Sequence, residues 1–251
     1  MSRVKTGEPS GATLISVFPA GPVVRCRAFQ AGDRFHPAIS QSDLQAAAGV
    51  VVWPMAEFEA DDALAAAAVV AARDAGVERV IICTPDKDLA QCVWGTRVVQ
   101  LNRRTRFTLD ERGVIQKFGV SPESIPDYLA LVGDSADGYP GLRGWGAKSS
   151  AAILAKFIHL ESIPADWREW HMNAAHASAL ANTLNRELDR ALLFRTLATL
   201  RTDIPLFEDV DQLRWNGPHP LSTRSLHDWT LQERSPAEYL FAAAERTMME
   251  F

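Results

Sequence analysis

The chain has 251 residues, 47% of them hydrophobic, enough to bury one large core or two small ones. Charged residues make up 23% and the net charge is −5, an ordinary balance that does not announce a nucleic-acid binder but leaves room for a basic face beside an acidic cluster. The longest apolar run, residues 63–72, is too short to span a bilayer and is charged at both ends, so a membrane role is not expected.

Cys26, Cys83 and Cys92 form an odd set without CxxC spacing, which reads as reduced thiols in a cytoplasmic protein. The N-terminus lacks an apolar segment of the signal-peptide type. Residues 1–40 scatter Gly and Pro through short apolar pieces, with weak strands expected at 13–18 and 23–29. From Ser42 the pattern sharpens. "SDLQAAAG" reads as a short helix with Ser42 as N-cap and Gly49 past its end. "VVVW" is a buried strand, and "ADDALAAAAVVAARDAG" a helix with acids in its first turn. "ERVIICT" is a second strand, and "PDKDLAQCV" starts another helix. "RVVQLN" and "RFTL" follow as a pair of strands, with Asp110 capping a helix that runs through Phe118.

This alternation predicts an α/β core with a parallel sheet. After about residue 121 the chain turns helical, with helices expected at 125–132, 147–157, 174–200 and 236–249. The expected organisation is an α/β core over 1–120 (with 1–40 atypical), a helical region over 121–215 and a helical extension over 216–251.

In an open α/β sheet, function gathers beyond the carboxyl ends of the strands. Glu59, Asp61 and Asp62 follow the first core strand, and Asp86 and Asp88 follow the second. As parallel neighbours, those strands would bring the five acids to one edge. "LVGDSADGYPG" adds Asp134 and Asp137. Carboxylates crowded into one cleft repel one another unless a cation neutralises them. With no His or Cys beside them, they suit hard divalent ions, Mg2+ or Mn2+, rather than zinc. Two such ions about 3.5–4 Å apart clamp the attacking and leaving oxygens in phosphodiester hydrolysis. Capping and the helix dipole explain Asp61 and Asp62 equally well taken alone, and Asp86 can be an N-cap with Asp88 on the surface. Clustering at equivalent strand ends favours the metal reading.

"GYPGLRGWGAKSSAAILAKF" is the second informative stretch. Gly141, Gly144 and Gly146 form a tight turn into a helix whose first turn holds Lys148, Ser149 and Ser150. Glycines let backbone N–H groups approach a phosphate, and a helix N-terminus favours the anion. Arg143, Lys148 and Lys156 add positive charge on the same element. These are the parts of a helix-hairpin-helix, which grips a nucleic-acid backbone without reading its bases. A plain glycine-rich connection between helices is the alternative.

Together, "EFEADD", "TPDKDLAQ", "YLALVGDSADGYPGLRGWGAKSSAAIL" and "LATLRTDIPL" resemble the 5′-nuclease (flap endonuclease) family, specifically the 5′→3′ exonuclease domain of bacterial DNA polymerase I and its free-standing relatives. The resemblance implies a PIN-like α/β core with a helix-hairpin-helix region. It also implies Mg2+-dependent, structure-selective cleavage of DNA at 5′ ends, flaps or nicks by a two-metal mechanism. Glu59, Asp61, Asp62, Asp86, Asp88, Asp134 and Asp137 become metal-site carboxylates. Gly141, Arg143, Gly144, Gly146 and Lys148 become duplex contacts, where the family often holds a K+ ion. "VKTGEPSG" resembles a basic stretch well inside the family's domain, with Lys5 as a phosphate-contacting lysine. On that alignment the family's opening strand and its Asp-Gly pair have no counterpart, and residues 12–40 match nothing in it.

The leading reading is thus a 5′ nuclease acting in DNA replication or repair, coupled to a DNA polymerase only in trans. The missing aspartate favours a second, a DNA-binding remnant that does not cut. A PIN-type ribonuclease would share the acids but has no use for the hairpin. His159, His171, His176, Trp167 and Trp170 are assigned to structure. Trp145, at the hairpin tip, has two readings, a packing residue or an exposed aromatic able to rest against a sugar or backbone.

Overall fold

The computed structural model describes the strand backbones at 14–19, 24–30, 34–36 and 39–40, and then residues 49–171 and 173–216. Lys5 and the helices expected at 42–48 and 236–249 lie outside the described residues.

Both weak N-terminal strands form, as β1 (Leu14–Pro19) and β2 (Val24–Gln30), and a short ribbon pairs β3 (Arg34–His36) with β4 (Ile39–Ser40). "VVWPM" is β5 (Val51–Met55), followed by helix α1 (Ala60–Arg73). The β-branched run is β6 (Val77–Cys83), and the pair expected after it is β7 (Val98–Asn102) and β8 (Phe107–Leu109).

The main sheet runs β5-β2-β1-β6-β7-β8 and is mixed, not parallel throughout. β2 pairs parallel with β5, and β6 with β7, but β1 is antiparallel to both neighbours. The reason is connection length: only four residues separate β1 from β2, and a parallel pair needs a crossover of a dozen or more. The core strands β5 and β6 are therefore not neighbours. Two reversals lie between them and cancel, so both still point the same way and their carboxyl ends share one edge.

The alanine-rich helix α1 packs across this sheet, with Ala63 through Ala68, Ala71 and Ala72 buried. Small side chains let the helix lie close to the strands. Asp110 caps α2 (Glu111–Phe118) by accepting from Gly113 N at 2.8 Å, and Gly119, at φ 76°, ends it in the left-handed region. "PDKDLAQCV" forms only a short 3-10 turn, Asp88–Cys92, because Val93 is already extended toward the next strand.

The helical part holds α3 (Ile125–Val132), α4 (Ala147–Phe157) and α5 (Ala174–Ala198), which is bent at Glu187. Their core joins Leu129, Leu131, Leu142, Trp145, Ile153, Leu154, Leu180 and Leu184. Buried Asp127 on α3 pins it: its carboxylate meets His159 Nδ1 at 2.9 Å, accepts from Leu160 N at 3.3 Å and faces Arg195 of α5 at 3.4 Å. After α5 the chain returns to the sheet. Leu200, Ile204, Val210 and Leu213 bury themselves in the α/β core beside α1.

The α3–α4 connection is held by two glycines back to back. A Cβ on Gly141 would meet Gly133 N and Val132 C at 2.5 Å, and one on Gly133 would meet Pro140 C at 2.5 Å. Both residues have positive φ, 69° and 90°. Gly141 is thus fixed by contact within the connection.

Gly141→Ala is expected to lower stability by roughly 3 kcal/mol, combining left-handed strain with a backbone clash. Asp127→Ala is expected to cost about 2–3 kcal/mol by stranding the donors that converge on it. Urea denaturation followed by circular dichroism measures both.

Candidate metal centre

The acids sit where three pieces of chain meet at the carboxyl edge of the sheet. Glu59 ends the β5–α1 connection as N-cap of α1, with Asp61 and Asp62 in its first turn. Asp86 and Asp88 follow β6, and Asp134 and Asp137 lie in the α3–α4 connection. One oxygen of each of Asp88, Asp134 and Asp137 lies within 4.8 Å of the others. These three come from both halves of the molecule.

The remaining acids join electrostatically. Asp61 is pushed up to about 7, by burial first and then by Asp86, Glu59 and Asp137. Glu59 is raised by burial and by Asp62, Asp137 and Asp86. Asp88 and Asp137 are both raised, chiefly by burial, with Asp86 and Asp134 adding to each. Strands β5 and β6 therefore deliver their acids to one place although two strands separate them.

Asp62 has a structural task. Its Oδ2 accepts from Glu59 N at 3.1 Å, closing the start of α1, and its Oδ1 accepts from Arg201 N at 2.8 Å. Capping, one of its two sequence readings, is thus realised. Asp86 Oδ1 likewise accepts from Asp88 N at 3.2 Å, turning the chain so that Asp88 faces inward. Asp134, only 3% exposed, accepts from Ala136 N at 2.9 Å and meets Lys87 Nζ at 2.6 Å.

Sequence reading passed over three residues here. Lys87 stands between the two acids of "PDKD" and supplies a cation to the cluster, a signal visible in the motif itself. Gln91 of "DLAQ" donates to Asp88 O and Ala198 O, both at 2.9 Å, and accepts from Leu200 N at 3.1 Å, tying the acidic turn to the end of α5. Tyr139 is buried with its hydroxyl unpartnered, and the surrounding acids help raise it. No local pattern marks the role of Gln91, because Ala198 and Leu200 lie more than a hundred positions along the chain.

The hairpin is only partly as expected. Arg143, Gly144, Gly146 and Lys148 are exposed, and Gly144 has φ 87°. Gly146 N donates to Ser149 Oγ at 3.0 Å. Nothing lies within 4 Å of a Cβ built on Gly146, so this helix entrance is open. Lys156 is directed elsewhere, donating to Glu169 O at 2.8 Å. Trp145 is not exposed at the tip: it is 5% exposed, tilted against Trp170 with ring centroids 5.9 Å apart, and donates to Leu180 O at 3.3 Å. Its large apolar surface is worth more inside the helical core than at the surface.

Residues 34–119 match a family described as 5′-3′ exonuclease, N-terminal resolvase-like domain, and residues 120–220 match its partner, 5′-3′ exonuclease, C-terminal SAM fold. The chain belongs to the 5′-3′ exonuclease family. The match reaches back to residue 34, into the segment where sequence reading found no counterpart, and leaves β1 and β2 before it. A 5′-3′ exonuclease of Aquifex aeolicus is 39% identical over 171 residues, 68% of this chain and 55% of that protein. Flap endonuclease Xni of Yersinia enterocolitica is 34% identical over 175 residues, 67% of this chain and 63% of that one. DNA polymerase I of Pseudomonas aeruginosa is 35% identical over 164 residues, 62% of this chain but 17% of the polymerase. The chain thus spans less than two thirds of the length of these relatives. The catalytic core of Rad2 in complex with DNA substrate shares the fold, with a TM-score of 0.52 and 19% identity over 79% of this chain and 65% of that one. Among the described residues no helix is long and apolar enough to cross a membrane.

Raised carboxyls make the folded state hold protons that the unfolded chain, with carboxyls near 4, has already released. For Asp61 the stability gained from this is complete below about pH 4 and is lost as the pH rises through about 7. With a chelator present, the melting temperature is therefore expected to fall between pH 5 and pH 8, and Asp61→Asn to flatten that fall. Differential scanning calorimetry across this range gives the answer.

Proposed function

We propose that the protein is a divalent-metal-dependent 5′→3′ DNA nuclease that hydrolyses phosphodiester bonds at 5′ ends, flaps or nicks. The carrying observation is the convergence of Asp88, Asp134 and Asp137 on a space of metal-site size. The donor set fits Mg2+ or Mn2+: it is all oxygen, and buried Asp88 Oδ1 has no hydrogen-bond partner. Asp88, Asp134 and Asp137 would hold one ion, with Asp61, Asp86 and Glu59 completing the site for a second. When bound, the ions supply Lewis-acid stabilisation of the attacking and leaving oxygens.

The chain's own residues do the rest. Lys87 holds Asp134 in place through their ion pair. Burial of Asp88 and Asp134 strengthens every charge interaction at the centre by limiting water. Arg143, Lys148 and the open entrance to α4 would hold a duplex backbone without reading its bases, with a K+ ion as an added bridge at the hairpin. Similarity to polymerase I supports a link to a DNA polymerase.

A grip that does not cut is the second reading. Its support is the direction of β1, whose carboxyl end opens on the edge opposite the acids.

Labelled 5′-flap DNA with Mg2+ tests the proposal. The parent is expected to cut. Asp88→Asn and Asp134→Ala are each expected to lose about a hundred- to a thousandfold, the several kcal/mol a metal ligand supplies. Binding without cutting by all three proteins would establish the second reading.

A further inference from the structure

Beside the acidic centre lies a half-open cleft of about 520 Å3 that the metal reading does not use. Thr84, Gln100, Asn102, Thr105, Phe107 and Lys117 line it. It opens at the carboxyl ends of the parallel strands β6 and β7, the place where α/β sheets take ligands, and its volume is that of a small-molecule site. It shares a wall with the acids: Gln100 Nε2 donates to Thr84 O and Asp86 O, and Thr84 Oγ1 accepts from Asp86 N at 3.1 Å.

Three features of the lining have no internal explanation. Gln100 is only 2% exposed, yet its Oε1 has no donor. Asn102 spends its Oδ1 on Arg104 N and Thr105 N, at 3.0 and 3.2 Å, which leaves its amide N–H groups without an acceptor among the described residues. Phe107 is 57% exposed at the cleft, an aromatic face turned to solvent on an edge strand. A free acceptor, a free donor and a flat aromatic are the complement of a nucleobase, whose edge pairs with amides and whose ring stacks. Lys117, on α2, adds a cation whose ammonium form burial disfavours, so an anion nearby would restore it. At the lip the β7–β8 turn carries Arg103, Arg104 and Arg106, all exposed, a charge suited to phosphates.

We propose that this cleft binds one nucleotide, its base against Phe107 and its edge on Asn102 and Gln100. In the intact complex this would be a nucleotide of the strand being cut, next to the acidic centre. That assignment rests on the nuclease reading; the affinity of the cleft for a base does not. A free nucleotide offers the same chemistry.

Two measurements separate the cases. Titration of the full chain with deoxynucleoside 5′-monophosphates, with EDTA and no divalent ion, is followed by 15N chemical shifts. Saturable shifts at Thr84, Gln100 and Asn102 are expected, weakened about tenfold by Phe107→Ala and restored by Phe107→Trp. Phe107 is exposed, so loss of folding does not confound the pair, and melting temperatures check this. The second measurement places a single abasic nucleotide at successive positions around the cut site of flap DNA. A roughly tenfold drop in kcat/KM at one position, seen in the parent and absent in Phe107→Ala, would place the cut strand in the cleft. Nucleotide shifts with a flat abasic profile would make a free nucleotide the occupant. Shifts that are absent, or indifferent to Phe107→Ala, would overturn the inference even if the DNA is cut. Shifts without cutting would uphold the cleft and sink the nuclease reading.

Discussion

Repulsion among the carboxylates at one edge of the sheet is the constraint around which the rest is arranged. Glu59, Asp62, Asp86, Asp134 and Asp137 each push up the carboxyl of at least one other acid of the cluster. A chain gathers like charges only where something holds them in place. Here the start of α1 favours Asp61 and Asp62 through its dipole, backbone N–H groups hold Asp62, Asp86 and Asp134, and Lys87 neutralises one charge. What remains unbalanced shows in the raised carboxyls of Asp61, Asp88 and Asp137, which burial and the neighbouring acids push toward holding protons. A divalent cation is the natural replacement for those protons, and this links the electrostatics to the proposed chemistry.

The cluster depends on the joining of two cores. Asp88 follows a strand of the α/β sheet, whereas Asp134 and Asp137 belong to the loop after α3. Gln91 binds the turn carrying Asp88 to the end of α5, and Arg201 N reaches Asp62 at the start of α1. The "RTDIPL" segment is thus a strap that returns the helical part to the sheet, burying Ile204 as it crosses. Asp127 sets the helices among themselves. A change in this scaffold, far from the acids, would be felt as a change in spacing at the centre.

Sequence reading succeeded where a local pattern has one physical solution. Asp110 followed by an amphipathic run and Gly119 is a capped helix, and "VERVIIC" is a strand in any context that buries it. It stays open where a residue has two local solutions. Trp145 follows two glycines and fits a packed or an exposed place, and its burial is decided by Trp170 and Leu180, which lie 25 and 35 positions away. Gly141 suits a close approach of backbone, and the fold supplies one that the motif does not show, to Gly133. Asp62 is open to both ligand and cap; its bond from Glu59 N closes the start of α1, and only the fold brings Arg201 N to its other oxygen.

The sequence by itself determined most of the described elements, the seven acids and their family motifs, because capping, periodicity and motif spacing are local properties. The tertiary structure alone decided that the sheet is mixed, that β5 and β6 meet at one edge across two intervening strands, and that the α3–α4 loop completes the cluster. It alone decided, too, that a cleft with an unpaired acceptor lies beside the acids. Strand order, strand direction and the fate of a buried amide are set by contacts between residues far apart in the chain, and no local pattern carries them.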